Sequence, residues 1–265
     1  MIKKLNKYLD GNEKLLRHSL LIFISGVLAG FFNYIFQIYM GRALGPEQYG
    51  ILGVLFSIFY IVGYANTGID TIITKFVSEY NAKKKFGKIN SLIRKAFGKL
   101  IFYGLIGLAV YILLSKYIAN FLNIQNVLLV ILMGLVLFLG ILATIMNGVL
   151  RGMQKFNWLA ANSILISLSK LISGILLVAL GFGVVGAINS LNIAFLTAIL
   201  IPFIPIWFVF RHKKERVNGV DVYKYGSFVF LAAIILLLMT NIDLILVKHY
   251  FSSLEAGFYT AASML

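Results

Sequence analysis

The sequence contains no cysteine, which excludes disulfide bonds and thiolate chemistry. Its histidines, His18, His212 and His249, lie far apart and do not have a metal-ligand spacing, so no metal site is predicted. Charged residues are scarce at 12%, against roughly 25% in an average soluble domain. We find no phosphate-binding glycine loop, dinucleotide fingerprint or nucleophile elbow in the sequence. The sequence therefore predicts neither a cofactor nor an enzyme.

Apolar residues are in excess and make up 60% of the 265 positions. A chain this apolar cannot cover its own core with polar surface, so its solvent must be lipid. Its long apolar runs are about 20 residues each, enough at 1.5 Å per residue to cross roughly 30 Å of hydrocarbon. We predict seven spans and the start of an eighth near Gly257; the seven are roughly Leu20–Met40, Ile51–Ile73, Leu100–Tyr117, Val127–Leu150, Trp158–Leu180, Val184–Phe210 and Phe228–Val247.

A short polar turn from Gly41 to Gly50 separates the first two spans. Gly45-Pro46 interrupts helical sequence at its centre, and Gly50 begins the next apolar run. This pattern predicts a transmembrane hairpin. The fold class expected for the whole chain is all-α, a polytopic bundle of transmembrane helices.

The positions of the basic residues predict the orientation of the spans. With the N-terminus in the cytoplasm, about 20 Lys and Arg fall in cytoplasmic segments and three fall outside, as the positive-inside rule requires. Residues 1–18 are then a basic cytoplasmic leader on anionic lipid. The net charge of +15 follows from this placement and does not indicate nucleic-acid binding, because the basic residues do not form one patch.

The longest cytoplasmic connection runs from Lys75 to Lys99 and alternates basic with apolar residues at near-helical spacing. We predict one or two short amphipathic helices lying in the membrane interface. Two interpretations stay open, a charge anchor that sets the topology and a docking surface for a cytosolic partner.

Lys170 is the most informative charge within a predicted span. It lies close to mid-depth, between Trp158 and Leu180, where an uncompensated charge costs roughly 2.5–3.5 kcal/mol. Ser163 and Ser167 share its helix face at i, i+4, i+7. Lys170 either forms a structural ion pair with Asp70 or Asp243, or lines a cavity for an anionic substrate.

Three further charges lie within or at the edge of spans. Asp70 shares a helix face with Asn66, and Asp243 lies in the outer half of the seventh span. Each carboxylate either binds a coupling proton or sodium ion or neutralises Lys170. Arg151 lies at an inner helix end, where it is either a topology anchor or part of the cavity.

The second part of the chain repeats the first at a shift of about 207 residues, which places Gly257 on Gly50. In both copies an apolar span ends in a basic residue, and a short turn with a Glu leads to a Gly and a new apolar run. Both copies begin on the cytoplasmic side. This predicts a parallel repeat with a unit of six spans, as in two-lobed transporters.

Three segments resemble the polysaccharide flippases of the multidrug/oligosaccharidyl-lipid/polysaccharide exporter superfamily. They are the first outer turn RALGPEQYGILGVLFSI, the sequence NGVLRGMQKF after the fourth span, and NIDLILVKHYFSSLEAGFYTAASML at the start of a second lobe. The resemblance covers essentially the whole chain and implies two six-helix lobes around a central cavity. This sequence departs from the family by ending one to two helices into the second lobe. It is then a fragment, a truncated gene product, or a half that pairs with another chain.

The resemblance implies three regions, the leader 1–18, a first lobe 19–215 and the start of a second lobe 216–265. It implies a transporter of the cytoplasmic membrane that flips a lipid-linked oligosaccharide for surface glycan export, with possible glycan-assembly partners. The alternatives are a cation-coupled multidrug antiporter, which a central lysine disfavours, and a non-transporting scaffold. The predicted cavity residues are Lys170, Arg151, Asn66 and Asn162, and the predicted ion-coupling residues are Asp70 and Asp243.

Overall fold

The computed structural model describes residues 2–122 and 124–217, together with 222, 225–229, 231, 232 and 235. Within these residues the secondary structure is helical. The helices are α1 (Ile2–Ala82), α2 (Phe86–Phe121), α3 (Val127–Gly152), α4 (Phe156–Leu177) and α5 (Gly183–Ile206), with a π-helical turn at Val178–Phe182 and a 3₁₀ turn at Trp207–Arg211.

Helix α1 is two antiparallel arms joined at Gly45. Gly45 has φ 73° and ψ 171°, a backbone conformation that favours glycine, and Pro46 begins the second arm. The Tyr49 hydroxyl donates a hydrogen bond of 3.0 Å to Gln37 Oε1. A continuous helix would separate these residues by about 18 Å, so the chain must reverse between them. We call residues 2–44 the first arm and residues 46–82 the second arm.

A second reversal joins α4 to α5. Gly181 and Gly183 both have positive φ, 89° and 52°, and the helix cannot continue through them. The hydroxyls of Ser169 in α4 and Thr197 in α5 lie 2.9 Å apart, so the two helices run antiparallel side by side.

Four continuous helical stretches are long and apolar enough to cross a membrane: Leu16–Phe56, Phe86–Phe121, Val127–Gly152 and Phe156–Arg211. Because the first and the last contain the two reversals, the described residues form a bundle of six antiparallel segments. This confirms the predicted all-α membrane bundle, and the six segments coincide with the first six predicted spans. The predicted seventh span lies largely outside the described residues, and the start of the eighth lies wholly outside them.

The bundle has two hydrophobic cores, one in each half of its depth. The core at the Gly45 end includes the fully buried Phe36, Leu52 and Met133. The core at the opposite end includes the fully buried Ile89 and Met146. We call this the basic end, because Lys83, Lys155 and Arg211 lie in the connections and at the helix end on this side. Each core combines side chains from α1, α2, α3 and α5, so each of these helices is held in both halves of the bundle.

The connection from Lys75 to Lys99 differs from the prediction. The second arm of α1 continues to Ala82 and α2 begins at Phe86, so only a turn of three residues separates two long helices. Its apolar side chains, including Phe76 and Ile93, are buried in the core at the basic end. The prediction of amphipathic helices lying in the interface is therefore wrong, because this apolar face packs against the protein.

Candidate functional site

Helix α4 positions Lys170 near the middle of the bundle. Lys170 lies 14 residues after Phe156 and 11 before Gly181, or about 21 Å and 16 Å along the chain. Ser167, Ser169 and Ser173 lie within one helical turn of Lys170 on α4. A Cβ at Gly174, one turn away, would lie 2.7 Å from the ring of Phe36, so α4 packs closely on the first arm here.

A cavity of 390 Å³ opens beside Lys170 between α1, α4 and α5. We call it the central cavity. Its polar lining comes from Lys170, Ser167, Asn33 and Gln37, and its apolar wall includes Phe195. Asn33 Nδ2 donates a hydrogen bond of 3.4 Å to Ser167 Oγ, which joins the first arm to α4 at the cavity wall.

The ammonium of Lys170 lies 4.5 Å from the centroid of the Phe36 ring, within cation–π range. No carboxylate of the described residues lies within 4.0 Å of it. The alternative in which Lys170 pairs with Asp70 is therefore wrong. Asp243, the other carboxylate considered, lies outside the described residues.

A second cavity, of 240 Å³, lies nearer the basic end; we call it the inner cavity. Arg151, Asn147, Ser163 and Ser25 contribute to its lining. Ile166 lines both cavities, so the two are neighbours along α4. We call the polar lining residues of the two cavities, from Arg151 to Lys170, the polar track.

Arg151 of α3 forms an ion pair with Asp70 of the second arm. The Asp70 side chain is 19% exposed and the Arg151 side chain 47% exposed, so the pair lies at the edge of the bundle with the carboxylate inward. Asp70 Oδ1 is buried and accepts no hydrogen bond from the described residues. Arg151 therefore both lines the inner cavity and pairs with Asp70, a predicted coupling carboxylate.

The two predicted asparagines do not line either cavity. Asn162 is fully buried behind the wall and donates a hydrogen bond of 3.0 Å to Asn147 Oδ1, so it positions a residue that does line the inner cavity. Asn66 lies one turn before Asp70 in the second arm. Its Oδ1 is buried and, like Asp70 Oδ1, accepts no hydrogen bond from the described residues.

Sequence reasoning missed three amides of the track, Asn33, Gln37 and Asn147. Each is an uncharged polar residue within an apolar run. Such a residue has to find partners inside the bundle, just as a charge does. A search for every amide within the spans, as well as for every charge, finds all three.

Comparison with known proteins places the chain in a family. The family model described as polysaccharide biosynthesis protein matches residues 15–265. No curated protein sequence matches the chain.

The fold also occurs in solved transporters. The structure is similar to a multidrug resistance MATE family transporter of the MOP superfamily in an outward-facing conformation, with a TM-score of 0.64 at 21% identity over 88% of this chain and 56% of that one. It is similar to a MOP superfamily transporter from Pyrococcus furiosus, described as having a binding pocket of reversed polarity (TM-score 0.64, 19% identity, 87% of this chain and 55% of that one). A MATE in complex with MaL6 matches with a TM-score of 0.72 at 18% identity over 93% of this chain and 58% of that one.

The chain therefore spans less than three fifths of the length of these transporters. The fold and the family model agree with the resemblance in the sequence. The chain belongs to the polysaccharide biosynthesis protein family, and its six-helix lobe has the fold of the multidrug/oligosaccharidyl-lipid/polysaccharide exporter superfamily.

Proposed function

We propose that this chain is the first lobe of a transporter that flips a lipid-linked oligosaccharide from the inner to the outer leaflet of the cytoplasmic membrane. The observation that carries the proposal is Lys170, a cation at mid-depth that faces the central cavity. The diphosphate that links such a glycan to its lipid is anionic and does not cross hydrocarbon unaided. A buried cation in a cavity lowers that barrier. This function would explain a lysine at a depth where inserting a charge into the membrane costs roughly 2.5–3.5 kcal/mol.

The polar track gives the headgroup two successive cationic contacts. Arg151 lies at the end of α3 by the inner cavity and Lys170 lies about 20 Å deeper along α4. Between them the track offers amide and hydroxyl groups, which suit the hydroxyls of a sugar. A Cβ at Gly26, which lines the inner cavity on the first-arm side, would meet no atom within 4 Å, so no side chain closes the cavity at this position.

The proposal includes the topology and the coupling. Residues 1–18 lie in the cytoplasm, residues 19–215 form the first lobe and residues 216–265 begin the second lobe. Rocking of the two lobes alternates access to the track. The coupling ion binds at Asp70 or at Asp243. Loss of the Asp70 charge on protonation releases Arg151 from its ion pair, so the inner contact for phosphate changes with the coupling state.

Replacement of Lys170 in the full-length protein tests the proposal. In cells that lack their own flippase for the same glycan, Lys170→Ala is expected to lower surface glycan at least tenfold while lipid-linked glycan accumulates in the inner leaflet. Lys170→Arg keeps the charge and is expected to restore a large part of the export.

The matched control is Lys116→Ala, which also removes one positive charge but changes an exposed residue outside both cavities. It should leave export unchanged when membrane levels of the variants are equal. Normal export by Lys170→Ala would refute the assigned role. Normal glycan export together with lost resistance to cationic drugs would instead favour the antiporter.

A further inference from the structure

A third cavity lies away from the polar track, at the basic end of the lobe. It has a volume of 680 Å³ and lies between the second arm of α1, α2 and residues C-terminal to the lobe. We call it the basic groove. It shares no lining residue with the central or inner cavity. Its volume is within the range of roughly 300–1,000 Å³ that is usual for sites that hold a small molecule.

The basic groove has an apolar floor and a cationic rim. The floor includes Ile72, Leu92 and Val217. The rim has Lys95 and Lys99, which lie four residues apart on one face of α2 and are both exposed. No acidic residue is among its described lining. The groove therefore matches a molecule with an apolar chain and an anionic head.

The depth of the groove suits a lipid of the leaflet at the basic end. Leu100, which begins the third predicted span, lines the groove directly after Lys99. The boundary between headgroups and hydrocarbon therefore falls at the rim, with the lysines on the headgroup side. Basic pockets between helices on the cytoplasmic side are a known setting for anionic lipid headgroups.

We propose that the basic groove binds one anionic glycerophospholipid, with an acyl chain on the apolar floor and the phosphate between Lys95 and Lys99. The occupant is a resident lipid and not the transported molecule, because the groove is separate from the track. The lipid fills the space between the second arm, α2 and the residues C-terminal to the lobe, and so links the first lobe to the start of the second.

The experiment is native mass spectrometry of the full-length protein after mixing with phosphatidylglycerol or phosphatidylcholine of the same acyl chains. The wild type is expected to retain phosphatidylglycerol in preference to phosphatidylcholine. Each lysine near an anionic group contributes about fivefold, so Lys95→Gln/Lys99→Gln is expected to lower the preference roughly 30-fold. The matched control, Lys213→Gln/Lys214→Gln, removes the same charge from exposed residues outside the groove and should retain the preference.

A second variant tests the apolar floor. Ala96→Phe keeps both lysines but fills the groove, so it is expected to lower phospholipid binding. Equal retention of the two lipids, or equal losses in the two lysine variants, would overturn the proposal. Unchanged phospholipid binding by Ala96→Phe would show a surface headgroup contact only and would also overturn it. Displacement of phosphatidylglycerol by a polyprenyl diphosphate would overturn it by making the groove part of the transport route. These readouts need no transport activity, so they do not depend on the proposed function.

Discussion

Replacing the two members of the Arg151–Asp70 pair one at a time should give unequal losses of stability. The variants are Arg151→Gln, Asp70→Asn and the double variant. The asymmetry follows from exposure, because the Asp70 side chain is 19% exposed and the Arg151 side chain 47% exposed. The guanidinium left by Asp70→Asn can turn to water, whereas the carboxylate left by Arg151→Gln stays largely inside the bundle.

The expected magnitudes follow from these exposures. A buried charged group that loses its partner costs about 2–3 kcal/mol, and the buried, unpartnered Oδ1 of Asp70 places Arg151→Gln in that range. Asp70→Asn leaves a half-exposed arginine, where solvent screening limits the loss to about 1 kcal/mol. The double variant has no stranded charge and is expected to be close to Asp70→Asn alone. The coupling free energy then equals the loss in Arg151→Gln, about 2–3 kcal/mol.

The assay is thermal unfolding of the full-length protein in one detergent, with the four proteins compared at pH 7. The expected order of midpoints is wild type, then Asp70→Asn and the double variant together, then Arg151→Gln. The reasoning would be refuted if the two single variants lost equal stability and the loss in the double variant were their sum. The pair would then be a solvated contact. A double variant less stable than Arg151→Gln would refute it as well.

Two glycine substitutions test helix packing. A Cβ at Gly152 would lie 2.7 Å from the Cβ of Val77, so Gly152→Val is expected to force the second arm away from α3 and to lower stability by about 1–3 kcal/mol, measured by thermal unfolding. A Cβ at Gly87 would lie 2.4 Å from the carbonyl oxygen of Lys213, so Gly87→Ala is expected to displace the segment after α5 and to speed tryptic cleavage at Lys213 severalfold. Gly107→Ala, whose Cβ meets nothing within 4 Å, is the control for both, and equal behaviour of a variant and this control would contradict the corresponding prediction.

The sequence was sufficient for the fold because lipid imposes simple rules. Apolar runs of about 20 residues have to be helices in hydrocarbon, and Gly45-Pro46 marks the place where one helix has to end. The sequence of the connection from Lys75 to Lys99 does not distinguish its two possible environments, because an apolar stripe has the same periodicity whether it faces lipid headgroups or a neighbouring helix. Here Phe76 and Ile93 face the protein.

Partners within the candidate site could not be predicted in the same way. A span that is apolar on all sides gives little information on its rotation about its own axis, and rotation decides which charge meets which. The sequence therefore leaves two roles open for Asp70, and the structure shows that its partner is Arg151. The mid-depth position of Lys170 could be predicted from the sequence alone, because depth follows from counting residues along the span.

The two glycine reversals also bear on how the protein enters the membrane. Because the reversals at Gly45 and at Gly181–Gly183 are tight, we expect each pair of neighbouring spans to enter the bilayer as one helical hairpin. The apolar α5 would then enter together with α4, and its favourable insertion free energy would offset the penalty of Lys170. On this expectation, the reversal after α4 helps the membrane to accept a lysine at mid-depth.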